Sequence, residues 1–398
     1  MPSVIWGADN QSISSGLKKM SDIYNQRIKP QYLKTIEKNK HILPLTRIIE
    51  KLNKTGTVGD NNFFIFEEDE IPQSVQLLAS QPTTTDTDLV MTASDMIKAI
   101  KVGHIMQCPR TGEQFTIEAV NYATYTLSVT RGHGGSTPTA LLINDYFQIF
   151  SMSDTEGNTA PSGTGVEPKK VTNYLQIAKK SIEVTGRMQN ADTYQGGNEM
   201  REWEKMLVAF EQEQEKAYLF GLLSSTGRVT TGGLKYWIST NLVDASAGIT
   251  ETIRDAFLQK AYRFNQGKKL IFLAGENMMA WLQKFGKDRL EYAESDVVPG
   301  VMVTRFRSLW GGGASEFIPH GMMTSNYDGG LTYAGYCFGI NPELVGKVAF
   351  RGREMQYLKG KQTPDLDGIK NYVLSDFGLY LGNERSHSLM YGISNPLA

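Results

Sequence analysis

The chain has 398 residues, 40% of them apolar and 21% charged, and its formal net charge is −1. That length exceeds one small core and points to two or three domains, and the apolar and charged fractions are those of a folded protein and not of a disordered tail. The near-balanced charge excludes a dedicated nucleic-acid binder, which carries a strong basic excess, so any contact with DNA is expected to be weak and non-specific.

Cys108 and Cys337 stand far apart without CxxC or Cys/His spacing, so neither a disulfide framework nor a zinc site is expected. The opening MPSVIWGADNQS lacks the basic and apolar regions of a secretory signal, and no run of about 18 apolar residues occurs. The expectation is a protein made in the cytosol without a membrane partner.

Charge changes sign early in the chain. Lys18, Lys19, Arg27, Lys29, Lys34, Lys38, Lys40, Arg47, Lys51 and Lys54 outweigh the few early acids, whereas Thr55 to Val90 carries acids and no Lys or Arg. Leu17, Met20 and Tyr24, then Leu33 and Ile36, have helical spacing. A basic arm beside an acidic extended segment is able to dock between subunits, although two solvated surfaces explain the charge equally well.

From Val102 to Phe150 short strands are expected, with Phe115, Ile117 and Ala119, and again Tyr125, Leu127 and Val129, alternating with polar residues. The Gly132–Gly135 loop reads as a hairpin connection. SDTEGNTAPSGTGVEPKK then marks a boundary or surface loop.

A long helix is expected from Asn198 to Gly221, roughly 35 Å in length at 1.5 Å per residue. Met200, Trp203, Leu207, Phe210, Ala217 and Tyr218 line one side, and Glu213, Glu215 and Lys216 fall on others. A helix over about Thr250 to Phe264 presents Ile253, Phe257, Ala261 and Phe264. Leu270 to Leu273 form a buried strand leading into a helix with Met278, Met279, Trp281, Leu282 and Phe285, stopped by Gly286. Beyond Val301 many short β-runs follow, so the order is mixed α and β without doubly wound alternation.

Chemical motifs are weak throughout. Gly346–Lys347 is no P-loop, since Gly339 is too distant and Val348 offers no hydroxyl, and a turn is expected there. No GxSxG occurs, and the SxxK at Ser15–Lys18 with KTG at Lys54–Gly56 lacks an intervening SDN. His41, His104, His133, His320 and His387 are scattered, and the acidic run Glu67, Glu68, Asp69 and Glu70 lacks the spaced ligands of a calcium loop. No catalytic residue, metal or cofactor is assigned.

Taken in order, VGHIMQCPRTGEQFTIEAV, TLSVTRGHGG, NYLQIAKKSIEVTGRM, TTGGLKYWIST, KKLIFLAGENMMAWLQKF and YVLSDFGLYLGNERSH resemble the major head proteins of tailed bacteriophages, over roughly Tyr32 to Met390. The resemblance implies an α+β, HK97-like phage capsid fold, a structural rather than enzymatic role, and a place in the virion. It implies an N-terminal arm over 1–54, the first strand of an extended loop over 55–93, and an inserted small β-domain over 94–150. The loop returns over 151–195, a peripheral domain with a spine helix covers 196–245, a mainly axial domain 246–345, and a return to the peripheral domain 346–398.

On that mapping Lys34, Lys38, Lys40, Phe63, Phe64, Phe66, Glu67, Glu68, Asp69 and Glu70 are candidate intersubunit contacts. The implied partners are further copies of the chain in hexamers and pentamers. Portal, scaffolding and decoration proteins and packaged double-stranded DNA are further candidates. An encapsulin-like compartment shell shares the architecture, but the β-domain favours the phage. An enzyme or carbohydrate-binding virion protein that recognises a ligand through the β-domain is disfavoured by the lack of convergent catalytic residues, and a tail or baseplate protein by the long-helix and strand–helix order.

Overall fold

The computed structural model describes residues 44–81, 83–190, 198–265, 267–285, 289–295, 302–308, 313–324 and 333–396. They divide into two compact units, one of chain up to Phe63 and from Asn173 onward, the other Phe64–Thr172.

The first described element is α1 (Pro44–Lys51), where proline occupies a position that needs no amide hydrogen. Its Leu45, Ile48 and Ile49 recur at helical spacing and are buried in the main core of the first unit. The stretch expected as an arm over 1–54 therefore ends in a core helix, because that apolar stripe outweighs the flanking Arg47 and Lys51. The helical spacings at Leu17–Tyr24 and Leu33–Ile36 lie outside the described residues. After β1 (Thr55–Val58), β2 (Asn62–Glu67) carries the chain into the second unit.

The second unit is built from β3 (Ser74–Gln76), β4 (Asp88–Val90), β5 (His104–Gln107), β6 (Gln114–Asn121), β7 (Thr126–Arg131) and β8 (Tyr146–Met152). The sheet order is β3-β8-β5-β6-β7-β4. Leu78 N donates to Val90 O at 2.9 Å and Thr92 N to Gln76 O at 2.8 Å, so the two outer strands meet and the sheet closes into a small barrel. Alternate residues fill it, among them Leu77, Leu89, Phe115, Ile117, Leu127, Val129 and Phe147. The compact unit is thus wider than the expected 94–150, since β3 and β4 precede residue 94 and supply two walls.

The Gly132 loop joins β7 to β8, which are not neighbours in the sheet, so it is a crossing and not a hairpin. Gly132 and Gly134 have φ of 74° and 65°, which accounts for glycine there but not for which strands pair.

The chain returns along β9 (Lys169–Tyr174), which pairs with β2, and continues through β10 (Gln176–Thr185), α2 (Gly186–Gln189) and α3 (Asn198–Phe220). At Gly221 a β-carbon would collide with the carbonyls of Ala217 and Thr231, so glycine lets the chain turn away where α3 ends. Then come α4 (Leu234–Trp237), β11 (Leu242–Asp244), α5 (Glu251–Arg263), β12 (Ile271–Ala274), α6 (Glu276–Phe285), β13 (Leu290–Glu294), β14 (Met302–Ser308) and β15 (Gly313–Pro319). The last strands are β16 (Cys337–Ile340), β17 (Val345–Phe350), β18 (Gln356–Leu358), β19 (Gly368–Leu381) and β20 (Ser388–Tyr391).

Two sheets organise the first unit. One has the order β1-β17-β19-β10, with β18 also on β19; the other is β11-β20-β16-β12-β15-β14-β13. Met206 and Phe210 of α3 pack on Val373, Ala178 and Ile182 of the first sheet. Phe257 and Leu258 of α5 and Met278 and Trp281 of α6 pack on Phe272, Phe306 and Phe317 of the second.

Three expectations change. Phe264 is exposed, because it caps the C-terminus of α5 while Leu258 and Tyr262 take the buried side. Gly346 and Lys347 lie within β17 and not in a turn, and β19 runs for 14 residues where short β-runs were expected. Gly286 lies outside the described residues.

Candidate assembly surface and polar joints

Period-two alternation separates the aromatic residues of β2. Phe63 is buried against Leu175 and Val348 of its own chain, so it is withdrawn from the surface on which it was expected. Phe64 and Phe66 share the other face and stand 49% and 63% exposed. Their rings meet edge to face at 5.4 Å, and the Lys170 ammonium lies 4.1 Å above the Phe64 ring. Glu68, Asp69 and Glu70 follow, all exposed, with Glu67 partly so. An aromatic pair thus leads directly into an acidic run. Lys34, Lys38 and Lys40 lie outside the described residues.

His320, His387 and one carboxylate have structural duties that the helical pattern did not disclose. Glu215, expected on a polar face of α3, is fully buried. Its Oε1 accepts from Leu45 N at 2.8 Å, and Oε2 accepts from Thr46 N at 2.9 Å and from the Thr46 hydroxyl. This carboxylate therefore caps α1 from another helix. His320 is also buried, with Nε2 3.1 Å from Glu215 Oε1, while its Nδ1 accepts from Met322 N at 3.3 Å. That pairing leaves the ring proton on Nε2, directed at the carboxylate. Burial opposes ionisation of Glu215, but the hydrogen bonds from His320 and Thr46 outweigh it and hold the carboxyl below the usual range.

A second joint forms at the NERSH turn. Asn383 sits at φ 48°, and the Glu384 carboxylate accepts from Ser239 N at 3.2 Å, Thr240 N at 3.3 Å and the Thr240 hydroxyl. His387 Nδ1 accepts from Asn341 N at 3.3 Å, and Nε2 donates to Gly382 O at the same distance. Asn341 in turn donates to Asn265 Oδ1 at 3.0 Å. Burial pushes the His387 imidazole down to about 4, against the raising effect of its bond to Gly382. The ring is neutral where it holds these segments together.

In the barrel, Arg131 forks onto buried Glu113 through Nε–Oε1 at 2.8 Å and Nη2–Oε2 at 2.6 Å, and donates to Thr83 O at 3.0 Å. Among the described residues no group of three His, Cys, Asp or Glu side chains is placed to hold a metal ion. Glu215, His320 and Glu113 were missed because a lone charged residue in a chain rich in surface charge carries no sign of burial. Ser386 and Ser388, which flank His387, were a weak signal of a polar joint there.

The family model for the SU10 major capsid protein matches residues 28–394. A solved structure described as the capsid of a native GTA particle aligns with a TM-score of 0.52 at 11% identity, covering 95% of this chain and 100% of its own. A solved structure described as Mycobacterium phage Adephagia aligns with a TM-score of 0.46 at 9% identity, over 96% and 100% of the two chains. The SrpI encapsulin complex of Synechococcus elongatus PCC 7942 aligns with a TM-score of 0.48 at 8% identity, over 96% and 98%. No curated protein sequence matches the chain. The fold is HK97-like, with mixed α and β elements, and the family match runs across both units. The protein is a shell-forming major capsid protein of a bacteriophage, and the chain belongs to the SU10 major capsid protein family.

Proposed function

We propose that copies of this chain assemble as hexamers and pentamers into an icosahedral shell around a phage genome, with the Phe64–Glu70 segment as one of the contacts. Membership of a major capsid family carries the reading, and the exposed aromatic pair running into an acidic stretch supports the choice of segment. Many repeated weak contacts give avidity, so a shell forms reversibly and locks once larger apolar areas are buried. The barrel is the inserted domain, the sheet carrying β10 and β19 with α3 the peripheral domain, and the seven-stranded sheet mainly the axial one.

The role is structural and non-enzymatic. Assembly takes place in the host cytoplasm, with portal, scaffolding and decoration proteins as further partners and packaged DNA touched without sequence preference. The test is to express the chain alone and with neighbouring gene products, then sediment and image it. Shells are expected, and a small monomer under every condition overturns the reading. If Lys34, Lys38 and Lys40 meet acidic segments of neighbours, reversing all three to Glu lowers particle yield at low salt, and an unchanged yield removes that contact.

A further inference from the structure

Within the first unit, α1 packs on β17 and α3 on β19, and residues of all four elements line a cleft of about 540 Å³. Val348, Ala349, Met355 and Phe377 make its floor apolar. Tyr218 is set into that floor, 2% exposed, with its ring edge to face against Phe377 at 5.4 Å. Its hydroxyl hydrogen-bonds to no other described residue. A buried phenol normally finds a partner, so this one points to a ligand that supplies it. Burial and the carboxylates of Glu215 and Glu50 push the hydroxyl up, which keeps it protonated and places it within reach of Glu50, itself a cleft residue.

The rim is charged. Glu50 pairs with Lys347 at 2.8 Å, whereas Glu211 on α3, Glu354 before β18 and Arg47 on α1 make no ion pair with a described residue. Partial desolvation and the Glu50 carboxylate push the Glu211 carboxyl up, against the pull of Arg47 and Lys347, so the field on the α3 side is negative. The carboxylates do not converge on one point as a metal ion requires. Separate carboxylates beside an apolar floor suit an organic cation with spaced charges and methylenes between them. We propose that this cleft binds a linear aliphatic polyamine. Its methylenes lie on Val348, Met355 and Phe377, its ammonium groups meet Glu211 and Glu354, and one ammonium donates to the Tyr218 oxygen. The bound amine joins α1, α3 and β19, so it stabilises the first unit by mass action. The site is independent of how copies of the chain assemble.

The test titrates spermidine into the full-length chain by calorimetry at constant ionic strength, and follows Trp fluorescence during urea unfolding with and without it. Saturable binding and a higher urea midpoint are expected, and magnesium at matched ionic strength is expected to give neither. Glu211→Gln with Glu354→Gln should weaken binding about tenfold, and Arg47→Gln should tighten it about threefold by removing a like charge. Tyr218→Phe should weaken binding about threefold without lowering the midpoint measured in the absence of spermidine, because its hydroxyl has no partner in the chain to lose. A merely structural tyrosine leaves the affinity unchanged. The transition of each variant without spermidine shows that it folds.

No saturable binding, or equal binding by the carboxamide variant, overturns the proposal. Magnesium that displaces spermidine at equal concentration shows only a surface of negative charge and overturns it too. A synthetic peptide of residues 28–43, rich in lysine, that displaces spermidine at a much lower concentration makes a basic segment of the chain the occupant in place of a free amine, and also overturns it.

Discussion

The two units hold themselves together in different ways. The barrel is one continuous stretch, and much of its sheet joins sequence neighbours, β5 with β6 and β6 with β7. The first unit is discontinuous, with Thr55 beside Lys347 and Gln176 beside Phe377. Its distant segments meet at buried polar side chains: Glu215 holds α1, Asn173 donates to both Gly232 O and Leu379 O, and Asn341 reaches Asn265. Backbone ladders between neighbours specify a fold locally, whereas joints between distant segments concentrate stability in a few hydrogen-bonded groups.

The sharpest way to break this contrast is Glu215→Ala. It leaves His320 Nε2, Leu45 N, Thr46 N and the Thr46 hydroxyl without their acceptor in a dry site, at a cost of about 4 kcal/mol. All five tryptophans lie outside 64–172, so Trp fluorescence during urea unfolding follows the first unit alone. The Trp midpoint is expected to fall while barrel amide-exchange protection stays unchanged. The mirror experiment is Arg131→Ala, which strands buried Glu113 and costs about 3 kcal/mol in the barrel. Here the barrel amides lose protection and the Trp transition holds. If either substitution moves both units together, they do not unfold independently and the contrast fails.

This difference also decides what was readable beforehand. The barrel walls at Phe115, Ile117, Leu127 and Val129 were legible because half-buried strands alternate. Its closure was not, since β3 and β4 have three residues each, too few for a period to show. In the first unit the long helix and the wholly buried IFLA strand announced themselves by length and flanking glycine. α1 was hidden by the basic residues around its stripe, and Glu215 by the abundance of carboxylates on the same helix. Of the candidate contacts, Phe64 and Phe66 share the exposed face while Phe63 turns inward, a distinction of phase that three consecutive apolar residues conceal.

Acid should weaken the first unit through His387. His387 titrates near 4 when folded and near 6.5 when unfolded, so between those values the unfolded chain binds more protons. Stability is therefore full above about 6.5 and falls as pH drops towards 4, by up to about 3 kcal/mol. Glu215 acts lower: its folded carboxyl is held below the unfolded one, so its contribution persists above the unfolded value and disappears only as pH falls through the folded one. The Trp midpoint is expected to decline over pH 6.5 to 4.5, and His387→Gln to flatten that decline at a lower overall stability. A slope unchanged in the variant assigns the decline to another group.

Helix caps provide the smallest test, because they are local in both units. Thr250 Oγ1 accepts from Ile253 N at 3.3 Å at the start of the 13-residue α5, whose Phe257, Leu258 and Ala261 are buried. In the barrel, Ser94 Oγ accepts from Met96 N at 3.2 Å at the start of a single five-residue 3-10 turn. Thr250→Ala is expected to cost about 1 kcal/mol, and Thr250→Ser to recover most of it. Ser94→Ala should cost about 0.5 kcal/mol, since the bond is exposed and the turn carries fewer packed residues behind it. Urea midpoints read by Trp fluorescence for the first and by amide exchange for the second decide the order. A barrel cap that costs more than the α5 cap would mean that the short turn, and not the strand ladder, anchors Ile97 and Ile100 in the barrel core.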